Sequence, residues 1–107
     1  MLIYYFPIEW LKKGIEYPTR LTEDKTEDII CKLQYLYNLQ PKEILPSIEG
    51  GLLISYFNEK NIKTLKIEVY NDFDVAAIVI DEKECKPTIS EDIENLNFDT
   101  ILNEFLS

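Results

Sequence analysis

Residues 51–80 read GLLISYFNEKNIKTLKIEVYNDFDVAAIVI, and this stretch decides the fold. In its middle, Leu65, Ile67 and Val69 alternate with Thr64, Lys66, Glu68 and Tyr70. A period of two puts the apolar set on one face and the polar set on the other, the pattern of a half-buried antiparallel strand. Before it, Leu52 to Phe57 is rich in β-formers, and Asn58-Glu59-Lys60-Asn61 reads as a hairpin loop. After it, Asn71-Asp72 supplies a second tight turn, since both residues tolerate positive φ. Val75 to Ile80 is so continuously apolar that it predicts a central strand or one covered on both faces. The expectation is an antiparallel meander with strands at 51–57, 62–70 and 74–81. Gly50-Gly51 lacks the spacing and the Lys-Ser/Thr ending of a phosphate loop, so positive φ at the start of the first strand is its simplest role.

Upstream, Asp24 and Glu27 resemble a capping box, and Ile29, Ile30, Leu33, Leu36 and Tyr37 then recur at helical spacing. This predicts a main helix over 24–39, ending ahead of Pro41. Leu2 to Phe6 is β-prone and aromatic, and Pro7 either stops it or opens a short helix through Trp10 and Leu11. Downstream, Ser90 could cap a helix carrying Ile93, Leu96, Ile101, Leu102, Phe105 and Leu106, broken near Asn97. The fold class expected is α+β: one domain over residues 1–107, with a three- or four-stranded antiparallel sheet and helices on one face.

The chain has 107 residues, enough for one core without metal or disulfide. It holds 20 Asp plus Glu against 11 Lys plus Arg and no His, a net charge of −9. The charge disfavours direct nucleic-acid binding and anionic membranes, which must be met by cations. Without His, hydrolases built on Ser-His or Cys-His pairs and all His-containing metal sites are excluded. Two distant cysteines form no Cys-x-x-Cys unit, Cys31 reads as a small buried hydrophobe, and Cys85 lies near the surface. No leader is visible in Met1 to Phe6, and no apolar run approaches the length of a membrane span. The simplest location is cytoplasmic.

No catalytic constellation emerges. Pairs such as Asp72 with Asp74, or Glu91 with Asp92, arise by chance among so many acids, and Asn71-Asp72-Phe73-Asp74 lacks the Gly of a calcium loop. No cofactor or metal is implied. The acidity is uneven: residues 81–107 hold eight acids and two bases, a balance of −6, whereas residues 1–80 hold twelve and nine, a balance of −3. Asp81, Glu82, Glu84, Glu91, Asp92 and Glu94 are therefore candidate contacts for a basic protein partner, with Trp10 and Tyr56 as aromatic anchors. Tyr4, Tyr5, Phe6 and Tyr17 either cover a face of the sheet or join those anchors.

The pattern Pro46-x-Ile48-x-Gly50-Gly51-Leu52-x-Ile54-x-Tyr56, followed by Leu65-x-Ile67-Glu68-Val69 and a turn at Asp72, resembles a family of small, largely uncharacterised bacterial proteins. The resemblance implies a helix, a Pro and Gly-Gly turn, and an antiparallel hairpin, and it implies no catalytic residue. That pattern carries Trp at Tyr56, Glu at Ser55, and Gly after the turn Asp, at Phe73. The functional expectation is a non-enzymatic interaction protein such as an antitoxin, immunity protein or inhibitor. The alternatives are a secretion-chaperone-like homodimer, or a small-ligand binder or enzyme using carboxylates in a pocket.

Overall fold

The computed structural model describes residues 2–107. Met1, part of the N-terminal run read for a leader, lies outside the described residues. Three helices, α1 (Glu9–Lys12), α2 (Arg20–Tyr37) and α3 (Asp99–Leu106), accompany five strands: β1 (Glu43–Pro46), β2 (Gly51–Asn58), β3 (Lys63–Tyr70), β4 (Val75–Asp81) and β5 (Lys86–Asp92). The strands form one antiparallel sheet in the order β1-β2-β3-β4-β5.

The meander follows from the alternation. Ile54 on β2, Ile67 on β3 and Ala77 on β4 stand side by side and point to the helices, as do their neighbours two residues away. Ile29 and Leu33 of α2 and Ile101, Leu102 and Phe105 of α3 meet them in one core. Burial of each such aliphatic side chain stabilises the fold by about 1.5–3 kcal/mol. Both helices therefore lie on the same face of the sheet. β4 is covered on that face only, with Ala76, Ile78 and Ile80 half-buried on the other.

Two strands exceed the expected number. β1 has four residues and ends on Pro46, and β5 begins Lys86-Pro87 opposite an irregularity between Val79 and Ile80. Short length, Pro and register shifts weaken strand signals, and they are also what keeps an edge from pairing further. The C-terminal helix is correspondingly shorter than expected: Ser90 lies in β5, and Asn97 Oδ1 accepts from Asp99 N at 3.0 Å where α3 begins.

α2 starts four residues ahead of the Asp24 signal. Its cap is Thr19, whose hydroxyl accepts from Thr22 N at 3.1 Å. Its buried stripe is Thr22, Thr26, Ile29 and Leu33, while Leu36 and Cys31, both expected inside, are exposed. The helix ends at Asn38, in the left-handed region at φ 56°, with Asn38 N bonded to Gln34 O, the single bond of an αL cap, and Leu39 N to Leu33 O. The last carbonyls of α3 are taken by the β2–β3 hairpin: Asn58 and Asn61 donate to Phe105 O, and Lys63 Nζ donates to Glu104 O at 2.9 Å.

Gly50 and Gly51 take φ of 89° and 134°. A Cβ on Gly51 would lie 2.1 Å from Val69 O, so only Gly lets β2 and β3 approach there. The β3–β4 turn departs from expectation: the residue at positive φ is Phe73, at 75°, and not Asn71 or Asp72.

Candidate functional site

The aromatic residues of the N-terminal arm do not join the main core. Phe6 packs edge-on against Trp10 at 5.7 Å and lies tilted against Tyr17 at 4.5 Å, and Tyr17 meets Tyr4 at 6.5 Å. Leu2, Tyr4 and Phe6 are half-buried while Ile3 and Tyr5 are exposed, the alternation of an extended segment lying against the body. Tyr4 donates its hydroxyl to Glu23 Oε2 at 2.8 Å, and burial, reinforced by that carboxylate, pushes its pKa up. Trp10 is half-buried within this small cluster.

Asn71 fastens the arm to the sheet. Its Oδ1 accepts from Thr19 N at 3.0 Å and from Thr22 Oγ1 at 2.9 Å, and its Nδ2 donates to Tyr17 O at 3.0 Å. Lys25 Nζ donates to Phe73 O at 2.7 Å. These bonds bring the arm, the start of α2 and the β3–β4 turn together at one end of the molecule. At this end Tyr17 of the arm, Leu21 of α2 and Phe73 of the turn are left in solvent, at 54%, 61% and 46% exposure, and Ile3, Tyr5, Ile8 and Leu11 are exposed elsewhere on the arm.

Acids flank the same turn. Asp72 Oδ1 accepts from Asp74 N, which shapes the turn. Ile93 N donates to Val75 O at 2.8 Å, so the end of β5 runs alongside the start of β4. Asp74, Asp92 and Glu94 thereby line one shallow depression of about 200 Å³. Among the described residues the one cation bonded at this turn is Lys25, whose ammonium is spent on the Phe73 carbonyl.

The expected partner contacts do not form one face. β5 is seven residues long, which separates Asp81, Glu82 and Glu84 from Asp92 and Glu94 by roughly 20 Å. At the far end Asp81 Oδ1 accepts from Lys83 N and Glu84 N, and Glu84 pairs with Lys86 at 3.1 Å. Glu91 stands opposite Ala77 on the helix side of the sheet, whereas Asp92 stands opposite Ala76 on the other. Tyr56 is a correction: it is 1% exposed in the core, so it offers no surface to a partner. Sequence reasoning missed Phe73 and Asn71. The Gly expected at position 73 was the one available signal, because it marks a backbone in the left-handed region.

Among the described residues, no group of three or more His, Cys, Asp or Glu side chains is placed to hold a metal ion, and no helix is long and apolar enough to cross a membrane. Compared with models of known protein families, with curated proteins and with solved structures, the chain matches none.

Proposed function

We propose that the protein is a non-enzymatic interaction module that binds a basic protein partner, of the antitoxin, immunity-protein or inhibitor kind, through the acid-flanked β3–β4 turn. The observation that supports this reading is Phe73. A large aromatic in the left-handed region costs about 1–2 kcal/mol that Gly would not, and here that aromatic is held half in solvent between Asp72 and Asp74. Local stability favours Gly at this position; Ile62 and Leu96 also take positive φ but are partly buried, whereas the Phe73 ring is exposed, which supports a use outside the fold. Exposed aromatic anchors ringed by unpaired charge are the usual composition of a binding centre and its rim. The carboxylates of Asp72, Asp74, Asp92 and Glu94 set the sign of the partner, and a net charge of −9 steers cationic surfaces toward it.

The test is affinity capture from the native host with the wild-type chain, Phe73→Gly, and a triple charge reversal at Asp72, Asp74 and Glu94 to Lys. A basic protein should elute with the wild type, fall at least about tenfold with either variant, and weaken between about 0.05 and 0.5 M salt. Equal retention by the variants, a partner that is not basic, or no partner at all would overturn the proposal.

A further inference from the structure

The helices cover one face of the sheet, and the other face has a pattern of its own. Across its centre run two neighbouring rows of side chains, fixed by strand register: Ser55, Lys66 and Ile78 in one, Leu53, Glu68 and Ala76 in the next. All six point away from the helices, because their strand neighbours are the core residues Ile54, Ile67 and Ala77. Leu53, Lys66, Glu68, Ala76 and Ile78 line a depression of about 330 Å³.

The two charges at the centre of this face differ in state. Glu68 is held in place, with Oε1 accepting from Tyr70 Oη at 3.0 Å and Oε2 accepting from Ser47 Oγ. The ammonium of Lys66 makes no hydrogen bond or ion pair among the described residues. A fixed anion and a free cation thus sit two residues apart on the central strand.

We propose that this face is covered by a second copy of the chain, related by a two-fold axis that crosses β3 at Ile67, in the plane between the two sheets and perpendicular to the strands. That rotation exchanges the two rows. Lys66 of each copy then meets Glu68 of the other, Ile78 meets Ala76, and Leu53 falls over the recess at Ser55, whose small side chain is already covered by its neighbours at 6% exposure. Cation falls on anion and large falls on small, each twice, which is the self-complementarity an isologous interface requires. The arrangement is an aligned sheet-on-sheet packing, and pairs nearest the axis keep their register despite sheet twist.

Charge and area select this occupant. The molecule as a whole repels its own copies, yet this centre carries one cation and one anion and is otherwise apolar or small. The acids at its margins, Glu43 on β1 and Asp92 on β5, fall on Leu45 and Ser90 of the other copy and not on each other. Five strands about 4.8 Å apart and some six residues long give roughly 500 Å² per copy. Both copies together reach about 1,000 Å², the lower bound of a specific interface. The short, Pro-bearing edges leave the face rather than the edges as the route of association. This inference does not rest on the basic partner, whose turn lies at the end of the sheet.

Sedimentation velocity from about 10 to 500 µM tests it, a range that spans dissociation constants typical of such small interfaces. The wild type should sediment as twice 12.6 kDa at the upper concentrations. Lys66→Glu and Glu68→Lys should each weaken association at least about tenfold, since each places like charges in contact twice. The double exchange K66E with E68K should restore it. Ala76→Arg, which disturbs no internal bond, should also abolish it while circular dichroism stays that of the wild type. A wild type that remains monomeric throughout, a dimer that survives Ala76→Arg, or a folded double exchange that stays monomeric would each overturn the proposal.

Discussion

Replacing Tyr56 by Phe should stabilise the protein. The ring lies on β2 beneath the helices, 1% exposed, and its hydroxyl has no hydrogen-bond partner among the described residues. Burying a hydroxyl without compensation costs about 1–3 kcal/mol. Phe keeps the ring and removes the orphaned oxygen, leaving a gap smaller than a methyl group. A net gain of about 1 kcal/mol is expected, which for a chain of this size raises the melting temperature by roughly 4–8 °C. The pH dependence carries a second signature. Burial pushes the Tyr56 hydroxyl pKa above its ordinary value, whereas in the unfolded chain it titrates near about 10. Below about pH 10 both states keep the proton and the term is constant. Above it the unfolded state loses the proton first, so wild-type stability falls by about 1.4 kcal/mol per pH unit from this residue. Phe removes that slope, so the advantage of the variant should widen as pH rises above about 10. Urea unfolding followed by circular dichroism at about pH 7 and between about pH 10 and 11 measures both effects. A variant less stable than wild type at neutral pH would refute the reasoning and show that the hydroxyl is bonded, and an unchanged alkaline slope would refute it by showing that the hydroxyl reaches water.

Further outcomes concern the arm and the turns. Asn71→Ala removes three side-chain hydrogen bonds that tie the turn to the arm and to the first turn of α2, so it should cost about 2–3 kcal/mol. Amide exchange over residues 15–22 should accelerate most; unchanged protection there would show that the arm is held by its aromatic cluster alone. Gly51→Ala should cost at least about 3 kcal/mol because its Cβ meets the β3 backbone. Gly14→Ala, at φ 80° with nothing within 4 Å, should cost only about 1 kcal/mol. Equal midpoints for the two in urea would contradict the close approach of β2 and β3. Phe73→Gly exchanges relief of backbone strain for a looser unfolded chain, so its stability should lie between unchanged and about 1 kcal/mol above wild type.

β3 was legible from its one-sided alternation, and β2 and β4 from β-prone or continuously apolar runs between turn signals, and the observed limits fall within a residue or so of 51–57, 62–70 and 74–81. β1 and β5 were not, because edge strands shed the apolar alternation that a half-covered strand keeps. The start of α2 was missed for a different reason. Thr22 and Thr26 occupy its buried stripe, and they are admitted there because their hydroxyls bond Asn71 Oδ1 and Thr22 O. A hydrophobic period cannot register a core position filled by a satisfied threonine. At the candidate site, the acids were visible as composition, but their division between the two ends of β5 follows from a strand where a helix was expected. The β3–β4 turn was read where it lies, but its type stayed hidden: the sequence there lacks Gly, yet Phe73 takes the backbone conformation of one.

The order of the strands has a kinetic consequence. Each strand pairs with its neighbour in sequence, so the sheet can grow hairpin by hairpin without closing a long loop. The distant closures are left to two fastenings: Asn71 onto the arm, and Asn58, Asn61 and Lys63 onto the end of α3. If these form after the transition state, loosening either one should speed unfolding and leave the folding rate nearly untouched. The lifetime of the native state would then be set at its two clasps, and the speed of reaching it by the meander between them.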